Sequence, residues 1–188
     1  MKKTLFITML AAALMGGQVF ADYIPTTTDA PEVDDGFYVG EYSQTADVSR
    51  ANVTINEEEE GGDDFSQSGV YGGFTVGEQT SAINNSVTMT GGQVNRVEGG
   101  YSENGIAMNN TVTVSGGQVG EDVYGGFCLM DGSAIGNAVT VSGGQVATVY
   151  GGHCTSGNAN NNTVIVRSGT IVAATVGDGY GEANDNTL

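Results

Sequence analysis

The feature that most constrains the fold of this chain is a sequence motif that recurs along most of its length. Residues 137–152 read NAVTVSGGQVATVYGG, close copies begin at Asn85 and Asn110, and a more divergent copy begins at Asn162. The valine that opens each Val-Tyr-Gly-Gly unit, or its equivalent, recurs at nearly constant spacing. These valines are Val70, Val97, Val123, Val149 and Val176. Self-similarity at a fixed period, here roughly 26 residues, is the sequence signature of a stacked repeat architecture.

Each copy of the repeat contains the pattern of two short strands. In the first strand apolar residues alternate with polar ones, as at Val112 and Val114 on either side of Thr113. Period-2 alternation of β-branched residues predicts a half-buried strand. A Gly-Gly pair then ends this strand, and a second apolar run begins at Val94, Val119, Val146 and Ile171. No stretch beyond residue 21 has helical periodicity.

This pattern predicts an all-β fold, a right-handed parallel β-helix of about five coils. Each coil would hydrogen-bond to the next at a spacing of roughly 4.8 Å, so like residues would stack in columns along the axis. One coil cannot bury its own apolar face, whereas several stacked coils can. An antiparallel sandwich or propeller blade is the alternative. It explains the alternation equally well, but it does not explain why the same small residues return once in every period.

The chain divides into a leader and a repeat region. Lys2 and Lys3 precede an apolar run, and small residues lie just before a cleavage point after Ala21, so residues 1–21 are predicted to be a secretory signal peptide. The apolar run is too short for a membrane anchor, which needs about 20 apolar residues. Residues 22–36 are predicted to form an acidic leader or an N-terminal cap. Residues 37–69 form a degenerate repeat with an acidic insertion, and residues 70–188 form regular repeats that end within a repeat.

The charge of the chain limits its partners. The formal net charge is −17, and after removal of the signal peptide the only basic residues besides His153 are Arg50, Arg96 and Arg167. Such a surface repels the phosphates of nucleic acids and anionic lipid headgroups. We therefore expect no nucleic-acid partner and no membrane insertion once the signal peptide is removed. The simplest role of the charge is solubility.

The units VYGGF at 70–74, NNTVTVSGGQV at 109–119 and VYGGH at 149–153 resemble the glycine-rich repeats of autotransporter-type passenger domains of Gram-negative bacteria. The resemblance covers residues 70–188 and, more faintly, the chain from Phe37. It implies an extracellular parallel β-helix used for adhesion, aggregation or display. The C-terminal membrane barrel of that family has no counterpart in the sequence, so a periplasmic or freely secreted location stays open beside the cell surface.

Two cysteines occupy the same position of successive copies. Cys128 follows Gly-Gly-Phe and Cys154 follows Gly-Gly-His, one period later. In a solenoid they would lie on neighbouring rungs, at a Cα separation within the 4.4–6.8 Å that a disulfide requires. Because exported proteins favour cystine formation, we predict a Cys128–Cys154 disulfide. Two free cysteines filling a Ser/Thr slot are the alternative.

The single histidine, His153, lies beside this cysteine pair, so a zinc site or a Cys–His nucleophile is conceivable. However, His153 aligns with aromatic residues of the other copies, which favours a place in an aromatic stack. That alignment pairs it with Phe74, Tyr101, Phe127 and Tyr180.

A second stripe contains Tyr71, Tyr124 and Tyr150 and is interrupted by Glu98. Such stripes bind sugars in some proteins and simply stack in others, and we favour stacking.

An acidic insertion at 57–64 supplies weak candidates for calcium ligands, because calcium prefers oxygen donors. The candidates are Glu57, Glu58, Glu59, Glu60, Asp63 and Asp64. They lack the alternating Asp/Asn spacing of calcium-binding loops, so a solvated loop is the favoured interpretation. The sequence indicates no cofactor. The recurring Asn-x-Ser/Thr triplets at Asn84, Asn109 and Asn161 are interpreted as turn residues.

These observations predict an exported structural or interaction protein, an adhesin-like passenger or a surface spacer, and not an enzyme. Binding residues would lie in the loops of variable length at 77–81, 103–105 and 129–133 and in the insertion, since function concentrates in loops held by a rigid scaffold. A calcium- or glycan-binding module is the alternative. Expected partners are glycans or proteins of host or bacterial surfaces. An open C-terminal edge would also permit end-to-end self-association.

Overall fold

The computed structural model describes residues 32–33, 37–55, 65–179, 181 and 183–188. The signal peptide with its cleavage site at Ala21, most of the acidic leader and the insertion at 57–64 lie outside the described residues. The described strands are β1 (Glu32–Val33), β2 (Phe37–Ser43), β3 (Val48–Ser49), β4 (Asn52–Ile55), β5 (Phe65–Glu78), β6 (Ala82–Ile83), β7 (Ser86–Met89), β8 (Gln93–Asn104), β9 (Ile106–Met108), β10 (Thr111–Val114), β11 (Gln118–Cys128), β12 (Ser133–Ile135), β13 (Ala138–Cys154), β14 (Asn158–Asn160) and β15 (Thr163–Gly179).

The strands form two sheets that wind around one axis. The larger sheet has the order β1-β2-β5-β8-β11-β13-β10-β7-β4, with β15 paired to β13, and the smaller sheet has the order β14-β12-β9-β6-β3. Within the described part of the chain every strand pairing is parallel apart from that of β1 with β2. The predicted β-solenoid is confirmed, and it has about four turns where about five were expected.

The interior is a set of valine columns. Val112 pairs in register with Val139, and Val139 pairs in register with Val164. All three side chains are buried, with at most 1% exposed, so the predicted column is confirmed. The main core cluster consists of valines apart from Ile55 and Met89. A small, stiff, β-branched side chain suits this interior, because each column repeats the same volume on every rung.

A column of asparagines runs beside the valines and has no counterpart in the sequence predictions. Asn85, Asn110, Asn137 and Asn162 are each at most 1% exposed. The Asn110 backbone N–H and side-chain Nδ2 both donate to Oδ1 of Asn137, at 3.0 and 3.1 Å. Asn137 Nδ2 donates to the carbonyl oxygen of Ala107 at 2.9 Å and to Asn162 Oδ1 at 3.1 Å. The Asn137 amide therefore satisfies buried polar groups on the preceding and the following coil.

The residue before each of three buried asparagines makes the turn. Asn84, Asn109 and Asn161 have φ values of +57°, +54° and +57°, in the left-handed region that asparagine tolerates better than most residues. This agrees with their interpretation as turn residues. At these corners the first asparagine of each Asn-Asn pair adopts the turn conformation, and the second is buried in the interior.

The second glycine of Val-Tyr-Gly-Gly is explained by the same asparagine column. A Cβ atom placed on Gly126 would lie 2.5 Å from Cγ of Asn137. Gly100 and Gly152 have the same relation to Asn110 and Asn162. Real Cβ atoms do not approach other atoms this closely, so the packed amide leaves room only for glycine.

The register of the last full coil differs from the sequence alignment by two positions. The alignment of motifs placed Val176 on Val149, but the structure pairs Val149 with Ala174. Likewise His153 pairs with Asp178, where Tyr180 was expected, and Cys154 pairs with Gly179. An offset of two positions keeps every side chain on its original face of the sheet, whereas an offset of one would invert them all. It also places Gly177 against the side chain of Asn186, which continues the asparagine column.

Candidate functional site

The outer face of β2, β5, β8, β11 and β13 carries a column of aromatic rings, here called the outer column. Its members are Tyr42, Phe74, Tyr101, Phe127 and His153. The centroids of the Phe74 and Tyr101 rings lie 4.4 Å apart and those of Tyr101 and Phe127 lie 5.5 Å apart, with nearly parallel planes. His153 lies 5.0 Å from Phe127 with an interplanar angle of 22°. The predicted stacking position of His153 is therefore confirmed.

His153 and its neighbour Cys154 face opposite sides of their strand. The imidazole is partly exposed, and its Nδ1 lies 3.1 Å from Oδ2 of Asp178. Cys154 is fully buried inside the solenoid. Successive side chains of a strand point to opposite faces, so this geometry does not bring the two groups together as a nucleophile and its base. Among the described residues there is also no group of three or more His, Cys, Asp or Glu side chains that could hold a metal ion.

A second column, here called the tyrosine column, lies beside the outer column. It contains Tyr71, Glu98, Tyr124 and Tyr150 in register. The rings of Tyr124 and Tyr150 stack at 4.7 Å, and Tyr124 contacts Phe127 edge-on at 5.2 Å. Tyr71 and Tyr124 are buried in this column, as in favourable aromatic packing, and Tyr150 is partly exposed.

Glu98 takes the place of a tyrosine in this column, and its side chain is completely buried. Its Oε1 lies 2.7 Å from Nε of Arg96, but neither carboxylate oxygen has an aligned hydrogen-bond partner within the described residues. The contact is thus a charge pair without the directional hydrogen bond that would compensate for the lost hydration. The Arg96 guanidinium lies over the rings of Tyr124 and Phe127, at 4.6 and 4.9 Å from their centroids.

Burial dominates the electrostatics of this cluster. It raises the pKa of Glu98 from its ordinary value of 4.5 to about 7, with Arg96 opposing the rise and Asp122 adding to it. Burial, with the charge of Glu98, also raises the pKa of Tyr101 to about 12. The Tyr124 hydroxyl donates a hydrogen bond of 2.9 Å to Oδ2 of Asp122, and burial raises the pKa of Tyr124 as well. The sequence indicated only that Glu98 interrupts a stripe, because its buried position depends on contacts between rungs.

The structure brings the two cysteines together as predicted. Cys128 and Cys154 lie on paired positions of β11 and β13, with their Cα atoms 4.6 Å apart and their sulfur atoms at disulfide distance. Both are fully buried beside Ala134 and Ala159. In the preceding coil the slot holds Ser102, whose hydroxyl donates to the carbonyl oxygen of Thr80 at 2.7 Å. The cysteine pair thus replaces a turn-closing hydroxyl with a covalent link between two coils.

The variable loops at 77–81, 103–105 and 129–133 line one edge of the solenoid, here called the loop edge. Each connects a strand of the larger sheet to a strand of the smaller one. Successive loops are bonded to each other, as where the Met130 backbone N–H donates to the carbonyl oxygen of Glu103 at 2.8 Å. Glu78, Met130 and Asp131 are exposed there. The acidic insertion, with its calcium candidates Glu57–Glu60, Asp63 and Asp64, lies outside the described residues, so the calcium alternative stays a prediction.

Comparison with protein-family models, with curated proteins and with solved structures finds no match to this chain. The resemblance to passenger repeats therefore rests on the sequence motifs alone. Across the parts of the chain that the structure describes, no helix is long and apolar enough to cross a membrane.

Proposed function

We propose that this protein is an exported structural or interaction protein, an adhesin-like passenger or a surface spacer, that performs no catalysis. The observation that supports this is the way each coil is fixed to the next. Backbone ladders, the asparagine column, the aromatic columns and the cysteine pair all connect successive rungs. A stack bonded at so many points transmits force and holds surface groups at constant spacing.

The binding surface in this proposal is the loop edge. Its loops differ in sequence and length from coil to coil, while the strands that carry them repeat closely. The backbone at Leu129 and Met130 is held by hydrogen bonds to the preceding coil, and the side chains of Met130 and Asp131 are exposed there. Loops positioned by a rigid scaffold are where recognition residues concentrate, and glycans or proteins of host or bacterial surfaces are the proposed partners.

The location follows from the predicted signal peptide. We propose export to the cell surface, the extracellular medium or the periplasm of a Gram-negative bacterium, and fractionation of cells that express the full chain measures this directly. A protein retained in the cytoplasm with segment 1–21 intact would contradict export. A chain shortened after Ala21 and recovered outside the cytoplasm supports it.

The end formed by β15 is the proposed site of end-to-end self-association. Val166 and Val172 are 46% and 84% exposed, whereas Val141, which pairs with Val166 one rung earlier, is fully buried. Within the described residues, only Thr187 pairs with the outer side of β15, opposite Thr163. An exposed strand edge with apolar side chains favours pairing with another chain.

Binding is tested with the exported protein on a glycan array and in an adhesion assay on cells. The loop-edge variant carries Met130→Ala with Asp131→Ala, and a matched control carries Gln118→Ala, an exposed residue of β11 outside the loops. Binding that the loop-edge variant weakens at least tenfold and the control leaves intact supports the proposal. Binding lost in the control alone, or no retention by any glycan or cell surface, contradicts it.

A further inference from the structure

Glu98 is the one carboxyl group that replaces an aromatic ring in the tyrosine column. It is flanked in register by Tyr71 on β5 and by Tyr124 on β11, and its side chain has no solvent exposure. A buried ionised carboxylate without hydrogen bonds is costly, and proteins usually avoid it by pairing the group or by keeping it protonated. In this coil the pairing is incomplete, because the contact with Arg96 lacks an aligned hydrogen bond.

The groups that face Glu98 come from three strands. Arg96 and Tyr101 lie on its own strand β8, and Arg96 supplies the single positive charge. Tyr71 approaches from β5. Asp122 and Tyr124 approach from β11, and the negative charge of Asp122 opposes ionisation of Glu98. Arg96 is shared between the carboxylate and the aromatic rings below it, so it only partly offsets the loss of hydration.

We propose that Glu98 makes its coil a pH-sensitive lock, closed while the carboxyl group carries its proton and loosened when that proton passes to solvent. In the closed form the neutral carboxyl group fills a tyrosine position between Tyr71 and Tyr124. In the ionised form the carboxylate gains hydration by leaving the column, and β8 separates from its neighbours in brief local openings. The two forms use the same backbone fold, so the device adjusts local stability and does not require a second fold.

The direction of the effect follows from the pKa in the two states. The folded-state pKa of about 7 lies above the ordinary value of 4.5, so the folded coil holds the proton more tightly than the unfolded chain does. The stabilisation by protonation is complete below about pH 4.5 and is lost as the pH rises through 7. The difference between the two values sets an upper limit of roughly 300-fold on the change in the opening equilibrium.

Hydrogen exchange of the full chain between pH 5 and pH 8 tests the lock, with rates corrected for the intrinsic pH dependence of exchange. In the native protein we expect peptides from β8 to open at least tenfold more at pH 8 than at pH 5, within the limit above. Peptides from β12 and β14, on the smaller sheet, serve as an internal reference and should change less. Glu98→Gln removes the titrating group with little change of shape and should remove the pH dependence of β8.

A second variant keeps the test decisive if the glutamine variant fails to fold. Glu98→Tyr restores an uninterrupted tyrosine column and should give a β8 whose opening is independent of pH. The proposal is overturned if β8 opens equally at pH 5 and pH 8 in the native protein. It is also overturned if the native protein and a folded variant show the same pH dependence, or if all strands respond equally.

Discussion

The asparagine column permits a sharp test of what holds the coils together, through the substitution Asn137→Ala. Asn137 makes four side-chain hydrogen bonds in the interior and has no solvent exposure. Two of the four partners keep another bond after the change. Asn110 Nδ2 still donates to the carbonyl oxygen of Ala82, and Asn162 Oδ1 still accepts from the Asn137 backbone N–H.

The other two partners lose the bonds that Asn137 provides. The Asn110 backbone N–H loses its acceptor, and the carbonyl oxygen of Ala107 loses the amide that donates to it. A buried polar group without a partner costs about 1–3 kcal/mol, so the unpaired Asn110 backbone N–H alone should lower the free energy of unfolding by about 1–3 kcal/mol. This is a large share of the roughly 5–15 kcal/mol that stabilises an ordinary domain.

Urea unfolding followed by circular dichroism and by tyrosine fluorescence measures this loss, and coincidence of the two probes checks that one transition is observed. Asn186→Ala is the matched control. Asn186 lies in the same column and donates to the carbonyl oxygen of Ala159 at 3.0 Å, but it is only partly buried. Its Oδ1 also accepts from the Asn162 backbone N–H at 2.8 Å. Because Asn186 is only partly buried, water can enter the space left by the shortened side chain and replace both bonds, so we expect a loss below about 1 kcal/mol. Equal losses for the two variants, or a loss for Asn137→Ala as small as that expected of the control, would refute the reasoning.

Three further predictions concern packing and association. Replacing Cys128 and Cys154 together by serine should lower the free energy of unfolding by about 3 kcal/mol, as expected for the loss of a covalent link between adjacent coils. Two free thiols found by thiol titration of the folded native protein would contradict the disulfide. Gly126→Ala should destabilise the protein because its new Cβ meets Asn137, whereas Gly120→Ala, with its nearest atom at 3.4 Å, should change the unfolding midpoint little. Val172→Asp should reduce self-association measured by light scattering, and an unchanged oligomeric state in a self-associating protein would exclude that edge.

Much of the fold could be predicted because the repeat fixes the register. Once the period is known, residues such as Val112 and Val139, or Cys128 and Cys154, must lie on neighbouring rungs. The stacking of His153 followed from the same logic. The offset of the last coil could not be predicted from the motifs. The sequence Val-Gly-Asp-Gly at 176–179 is similar to Val-Tyr-Gly-Gly at 149–152, so the alignment placed Val176 on Val149. In the observed register Gly177 lies against the side chain of Asn186, a contact that the motifs do not reveal.

The asparagine column and the buried position of Glu98 could not be predicted from the sequence for a related reason. The signal for the column was present, since an asparagine opens each copy at Asn85, Asn110, Asn137 and Asn162. Its meaning depends on which backbone groups lie beside it, and those belong to another coil. In the sequence Glu98 is only an interruption of the tyrosine stripe, because the residues that bury it lie on neighbouring rungs. Periodicity therefore predicts which residues stack, but not which of them is desolvated.

The difference between interior and outer positions shows where this scaffold can accept change. An interior residue such as Asn137 serves the coil below and the coil above at once, so a substitution disturbs three rungs. The outer positions do vary from coil to coil, with histidine at 153 and glutamate at 98. The valine and asparagine columns repeat from coil to coil, whereas the outer columns and the loop edge differ. A property that depends on a single coil, such as the proposed response to pH, can therefore exist without a change in the rest of the stack.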